Sequence, residues 1–151
     1  MKKKILPFLL ISMLAASCVQ VEQTPDQQSE PESKTDGAFI HISKGAEDPH
    51  TVLMALMLAD KFSTSNDVLV FFDKDGIEMV TRDAPNLEMD PFDGSDEIFE
   101  RLIENGATIL ACPACMKVSG VEENDLRPGV KLAEKEMFFD FTEGRILTLD
   151  Y

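Results

Sequence analysis

Two short, uninterrupted runs of apolar residues constrain the fold of this chain more than any other feature. Residues 67–72 read Asp-Val-Leu-Val-Phe-Phe, and residues 108–111 read Thr-Ile-Leu-Ala. A strand without polar alternation is typical of a parallel sheet that is covered on both faces. Helical patterns at 49–62 and 95–105 precede these runs, so the chain alternates strand with helix. The sequence therefore predicts a parallel sheet with helices packed against it.

The same alternation extends over residues 38–151 and predicts a three-layer α/β/α fold whose sheet is mostly parallel and has about five strands. The 49–62 helix is expected to start at Asp48 as its N-cap, followed by Pro49 in the first turn. Ser95 or Asp96 is the expected cap of the next helix. Residues 77–80 are expected to be extended, and 81–94 to form a long loop. The predicted strands are 38–43, 67–72, 108–111, 130–133 and 145–150, and the further predicted helices are 113–120 and 134–141.

The amino terminus has the order of an export signal. Three lysines at positions 2–4 precede the apolar run 5–14, which is too short to span a bilayer. Residues 14–18 read Leu-Ala-Ala-Ser-Cys and resemble the lipobox of bacterial lipoproteins, in which the cysteine carries the lipid. This resemblance implies a signal peptide over 1–17, lipidation at Cys18, and a cell-envelope location, on the outer membrane facing the periplasm. The alternative is an ordinary secretory signal that is cleaved after Ser17.

Residues 18–37 form a predicted linker, rich in glutamine, proline and acidic residues and almost free of apolar ones. Such a segment buries too little apolar surface to fold, so we expect a disordered tether. The whole chain carries 28 acidic and 14 basic residues, for a net charge of −14. A surface this acidic argues against nucleic acid as a partner.

The predicted 49–62 helix is apolar almost all round, which is typical of a helix buried on more than one side. Within a domain of this size, we expect the second side to be a subunit interface. The chain is therefore predicted to form a homo-oligomer, a trimer or a hexamer.

The predicted chemistry lies where the strands end, because ligands of open α/β sheets bind beyond the carboxyl ends of the strands. Cys112 directly follows the 108–111 strand and precedes Pro113, which suits the start of a helix. The positive end of a helix favours a thiolate. Cys115 is one turn further on, close enough to pair with Cys112 or to contact the same ligand. The alternative is that both are buried cysteines that pack as small hydrophobic residues.

Other readings of these residues are weaker. A thioredoxin-like site would lie early in its domain, whereas only 36 residues follow Cys115. With Cys18 lipidated, two thiols and two histidines remain, and His41 lies inside a strand, so no metal site is predicted. His50 is in the first turn of a helix and is a candidate for orienting or protonating a ligand near the thiol.

The pattern over 38–151 resembles the DsrE/DsrF-like family, which includes the TusD-type sulfur-relay proteins. The resemblance rests on the glycine loop before Asp48-Pro49-His50, the 67–72 strand with Asp75-Gly76, and the block 106–120. In the sulfur-relay members, a cysteine follows the strand that corresponds to 108–111 and lies eight residues before a glycine. Cys112 and Gly120 have the same spacing. The resemblance implies that Cys112 carries sulfur as a persulfide. Cys115 is outside that pattern, and a disulfide with it would disarm Cys112.

Three hypotheses follow for the function. The first is a membrane-tethered sulfur or thiol carrier that acts through Cys112 without a cofactor, with sulfane-sulfur compounds or donor and acceptor proteins as partners. The second is a non-catalytic binding or assembly lipoprotein with the same fold. The third is a periplasmic redox element in which Cys112 and Cys115 cycle between dithiol and disulfide. The reactivity of the two thiols distinguishes them.

Overall fold

The computed structural model describes residues 35–151 and contains five strands. The predicted signal peptide, Cys18 and nearly all of the predicted linker lie outside the described residues. The strands are β1 (Gly37–Ile42), β2 (Asp67–Phe72), β3 (Thr108–Ala111), β4 (Val130–Leu132) and β5 (Ile146–Asp150). The helices are α1 (Pro49–Ser63), α2 (Ser95–Glu104), α3 (Pro113–Ser119) and α4 (Met137–Asp140), with 3₁₀ helices at Lys74–Val80 and Glu123–Asp125. No helix among these residues is long and apolar enough to cross a membrane.

The five strands form one sheet in the order β4-β3-β2-β1-β5, and every neighbouring pair is parallel. From β1 to β4, each strand is added to the sheet on the same side of the one before it. Because crossovers between parallel strands are right-handed, the connecting helices α1, α2 and α3 all lie on one face of the sheet. The connection from β4 to β5 crosses the sheet in the opposite direction, to the far side of β1, and this places α4 on the opposite face. There, Phe138 packs edge-on against Phe39 and Phe71. The predicted three-layer α/β/α fold with a parallel sheet is confirmed.

Helix α1 begins as predicted, because the Asp48 carboxylate accepts hydrogen bonds from the Thr51 backbone N–H at 3.2 Å and from its hydroxyl at 2.8 Å. Most apolar side chains of α1 are buried in the core of the domain. Its fully buried apolar side chains are Val52, Leu53, Ala55, Leu56 and Ala59. Met54, Met57 and Leu58 are only half-buried. This half-buried stripe is what remains for the predicted subunit interface, which stays a prediction.

Three local predictions were wrong or only partly right. Residues 77–80 are not extended but belong to the Lys74–Val80 3₁₀ helix. The chain turns tightly there because Gly76 has no β-carbon, which would lie 2.6 Å from the Ile42 carbonyl oxygen. The second concerns the cap of α2, which is Gly94. Ser95 is instead buried inside the first turn.

The loop between Thr81 and α2 is tied to the helix by side-chain hydrogen bonds. The Ser95 hydroxyl accepts from the Leu87 N–H at 2.8 Å, and Asn86 Oδ1 accepts from the Asp96 N–H at 3.0 Å. Asn86 therefore satisfies the second backbone donor of α2, which Gly94, the actual cap, has no side chain to bind. The last predicted helix, 134–141, is also shorter than expected, since only Met137–Asp140 is helical.

Residues Ser33–Tyr151 form one compact unit with its own apolar core. The core lies between the sheet and the layer of α1, α2 and α3, and it includes the 3₁₀ helix that follows β2. Gly37 starts β1, so the chain enters the sheet at the rim of strand amino ends. The opposite rim, where the strands end, holds Asp73 after β2 and Cys112 after β3.

Candidate functional site

The two cysteines lie at the rim formed by the carboxyl ends of the strands, as predicted. Cys112 follows β3 directly, and its backbone N–H donates to the Phe72 carbonyl oxygen of the neighbouring β2 at 2.9 Å. This last ladder bond places Cys112 beside Asp73, the residue that follows β2. Because parallel strands end on the same rim, residues 39 positions apart in the chain become neighbours.

Cys112 is the N-cap of α3, with Pro113 as the first helical residue. Its Sγ atom accepts a hydrogen bond from the Cys115 backbone N–H at 3.5 Å. Gly120 ends the helix in the left-handed conformation, with φ of 71°. A glycine suits that position because other residues rarely adopt it. Both the cysteine and the glycine of the predicted eight-residue spacing therefore occupy defined ends of one short helix.

Cys115 is a second free thiol, half-buried like Cys112. The Lys74 backbone N–H lowers the pKa of Cys115. The Cys112 thiol, burial and the negative charge of Asp73 outweigh that effect, so that the pKa of Cys115 is raised above its ordinary value. The Cys115 side chain is therefore a protonated thiol at neutral pH.

An open cavity of about 410 Å³ lies against Cys115. Its walls come from α3 and from the start of the 3₁₀ helix, namely Lys74, Asp75, Ala114, Cys115, Val118 and Ser119. Val118 is 90 % exposed, so an apolar side chain stands at the surface of this cavity. The cavity gives a small molecule or a partner thiol a route from solvent to Cys115.

Beside the thiols, His41 bridges two carboxylates. Its Nδ1 lies 2.6 Å from Asp150 Oδ1, and its Nε2 lies 2.9 Å from Asp73 Oδ1. The second pair is buried and within ion-pair distance, although the two atoms are not aligned for a hydrogen bond. The ring also stacks on Phe71. His41 thus joins the carboxyl ends of β1, β2 and β5, and it holds the Asp73 carboxylate that acts on Cys115.

The ring contact of His50 is with a residue outside this arrangement. His50 is exposed, and its ring lies against Phe92, with a centroid separation of 5.6 Å. Among residues 35–151, no hydrogen bond joins His50 to either thiol. The prediction that His50 orients a ligand at the thiol gains no support from these contacts.

The residues that sequence reasoning missed are Asp73 and His41. No role at the thiols was predicted for Asp73, and His41 was predicted only as a residue inside a strand. The position of Asp73 in the sequence could have indicated that it lies near Cys112, because Asp73 directly follows β2 just as Cys112 directly follows β3. Within the described part of the chain, no group of histidine, cysteine and acidic residues could hold a metal ion.

The fold and the site define a parallel α/β domain with paired thiols at the carboxyl rim of its sheet. A family model, the DsrE/DsrF-like family, matches residues 37–143. The chain therefore belongs to the DsrE/DsrF-like family, and that part of the sequence resemblance is confirmed. No curated protein matches the sequence.

Two solved structures are similar in fold. The MTH1491 protein from Methanobacterium thermoautotrophicum, a protein of unknown function, superposes with a TM-score of 0.56 at 16 % identity, covering 75 % of this chain and 98 % of its own. The ychN protein from E. coli superposes with a TM-score of 0.54 at 16 % identity, covering 77 % and 99 %. At this identity the likeness concerns the fold alone.

Proposed function

We propose that this protein is a sulfur carrier that holds sulfane sulfur as a persulfide on Cys112. One observation carries the proposal: within a DsrE/DsrF-like domain, Cys112 caps α3 at the carboxyl rim of the sheet, eight residues before the left-handed Gly120. That is the position at which the sulfur-relay members of this family have their cysteine. The Cys112 thiol is free and half-buried, as a carrier group that must be both reachable and protected should be.

The chemistry needs no cofactor. The Cys112 thiolate attacks the sulfane sulfur of a donor, a new sulfur–sulfur bond forms, and the rest of the donor leaves with its electron pair. The terminal sulfur of the persulfide is then attacked by an acceptor thiolate, which takes the sulfur and returns Cys112 to its thiolate. The partners are a small sulfane-sulfur compound or a donor protein on one side and an acceptor thiol on the other.

We further propose that the carrier is anchored to a membrane through a lipid on Cys18, facing the periplasm. The proposal is supported by the order of charged, apolar and small residues before Cys18. The domain joins the preceding segment at Gly37, on the rim opposite the thiols. Six strand residues separate the two rims, roughly 20 Å. A tether that ends at Gly37 would therefore be attached on the rim opposite Cys112, which leaves the rim of the thiols free for partners.

The proposed assembly is a homo-oligomer, a trimer or a hexamer. Its support is the stripe of half-buried Met54, Met57 and Leu58 on α1. Light scattering on residues 33–151 at micromolar concentration tests it, and a monomeric mass would contradict it.

The carrier function is tested by intact mass spectrometry on reduced residues 33–151, which form one compact unit. The donor is an arenethiosulfonate, whose leaving group is a sulfinate. The Cys115→Ser variant is expected to gain about 32 Da, one sulfur atom. The matched Cys112→Ser variant should gain nothing. A gain that persists in Cys112→Ser and is lost in Cys115→Ser would contradict the assignment to Cys112.

A second candidate is a dithiol redox element, favoured by the contact between Cys115 and Cys112. This function predicts a reversible disulfide but no sulfur uptake by the Cys115→Ser variant. If neither sulfur uptake nor a disulfide is observed, a binding or assembly role for the domain becomes the better account.

A further inference from the structure

The thiol of Cys115 lies close to the sulfur atom of Cys112 on which the persulfide is proposed to form. The Cys115 N–H donates to Cys112 Sγ at 3.5 Å, and the Cys112 thiol is near enough to raise the pKa of Cys115. In a Cys112 persulfide, this same Sγ becomes the inner sulfur, bonded to the terminal one. The Cys115 sulfur therefore lies beside one of the two atoms at which a thiolate can break the persulfide.

Resting on the proposed function, we propose that Cys115 is a resolving thiol that discharges the Cys112 persulfide as hydrogen sulfide. The Cys115 sulfur attacks Cys112 Sγ, and a disulfide bond forms between the two cysteines. The bond from Cys112 Sγ to the terminal sulfur breaks, and that sulfur leaves with the electron pair and the Cys115 proton. The two cysteine thiols are thereby oxidised to a disulfide, while the sulfane sulfur is reduced to sulfide.

The surroundings of Cys115 suit this role. The cavity of about 410 Å³ that Cys115 lines opens beside Ala114 and Val118. Sulfide can leave through it, and a reducing dithiol can reach the disulfide from the same side. Cys112 is absent from the lining of this cavity, so the disulfide is approached at the Cys115 sulfur. Attack there by the reductant releases Cys112 as the free thiol, ready for another donor.

The fate of the bound sulfur then depends on competition. An acceptor thiol that reaches the terminal sulfur first receives it, and the protein acts as a carrier. Without an acceptor, Cys115 resolves the persulfide, and the protein stops as a disulfide after one turnover. A dithiol reductant restores both thiols, so that continued supply of donor and dithiol yields a steady release of sulfide.

The experiment loads reduced residues 33–151 with one equivalent of an arenethiosulfonate. This donor delivers sulfane sulfur and loses a sulfinate, so any sulfide comes from the protein. Sulfide is followed with a selective electrode, and the protein by intact mass under non-reducing conditions. Wild type, Cys115→Ser, Cys115→Ala and Cys112→Ser are compared after their thermal unfolding curves show that each is folded.

Wild type is expected to release about one equivalent of sulfide and to end about 2 Da lighter, as the disulfide. Cys115→Ser and Cys115→Ala should keep the added sulfur and release no sulfide, and Cys112→Ser should do neither. The proposal is overturned if wild type keeps its sulfur as long as the Cys115 variants do. Failure of both Cys115 variants to take up sulfur would refute the carrier function itself, which is a separate and recognisable outcome.

Discussion

The imidazole of His41, at the end of β1, lies 2.9 Å from the carboxylate of Asp73, at the end of β2. This contact fixes a negative charge next to the thiol of Cys115, which belongs to α3. The Asp73 charge is one of the causes that raise the pKa of Cys115. Three elements that are distant in the chain are thus coupled at the rim where the sulfur chemistry is proposed.

Replacing Asp73 with asparagine should make Cys115 more reactive. The substitution removes the negative charge that disfavours the Cys115 thiolate, while an amide of the same shape keeps its place beside His41. In a Cys112→Ser background, alkylation of Cys115 by iodoacetamide at pH 7.5 should accelerate on the order of threefold. Asp75→Asn is the matched control, since it removes an equal charge from the exposed side of the same cavity. Equal acceleration by the two variants would contradict the role of Asp73.

Sulfide release from the loaded wild type should increase with pH. A raised pKa means that the Cys115 thiolate, the attacking form, is scarce at neutral pH and accumulates as pH rises toward that pKa. The groups facing the thiol are the Cys112 sulfur, Asp73 and the Lys74 N–H, with the Lys74 and Asp75 side chains further along the cavity. Single-turnover release rates between pH 6.5 and 9.5 check this expectation, and a rate that falls as pH rises would contradict it.

Ser95 should matter for stability but not for sulfur chemistry. Its fully buried hydroxyl accepts a hydrogen bond from the Leu87 N–H at 2.8 Å, so Ser95→Ala leaves that buried donor without a partner. The expected cost is about 1–3 kcal/mol of unfolding free energy, measured by urea denaturation. Ser119→Ala, at an exposed position, should change stability by less than about 0.5 kcal/mol. Comparable losses in the two variants would show that the Ser95 contact contributes little.

Cys18 should be the point of membrane attachment. Expressed in bacteria, the full-length chain is expected to partition with membranes in a processed form, and Cys18→Ala to accumulate as an uncleaved precursor. Metabolic labelling with a fatty acid should mark wild type only. A soluble, processed wild-type protein that begins at Val19 or later would instead indicate ordinary secretion.

The sheet and the position of the thiols could be predicted from the sequence for a physical reason. Continuous apolar strands such as 67–72 must be buried on both faces, which leaves a parallel α/β sheet as the solution, and such sheets have one functional rim. β2 and β3 have the predicted bounds, and Cys112 caps α3 as expected.

The errors arose where tertiary contacts decide local structure. A four-residue apolar piece such as 77–80 suits a strand or a helical turn, and the close approach of Gly76 to the Ile42 carbonyl selects the 3₁₀ helix. The cap of α2 was misassigned because Asn86, nine residues before Ser95, satisfies its first turn. The links from Asp73 to His41 and Cys115 join three elements, and no local pattern encodes them.

The central claim is that Cys112 carries transferable sulfane sulfur, and cyanide tests this most directly. A gain of about 32 Da also fits a sulfinic acid, in which two oxygens have been added, so mass alone is ambiguous. Cyanide removes sulfane sulfur from a persulfide as thiocyanate but leaves a sulfinic acid unchanged. Loaded and desalted Cys115→Ser should yield about one thiocyanate per chain and return to its original mass. No thiocyanate and an unchanged mass would contradict the account.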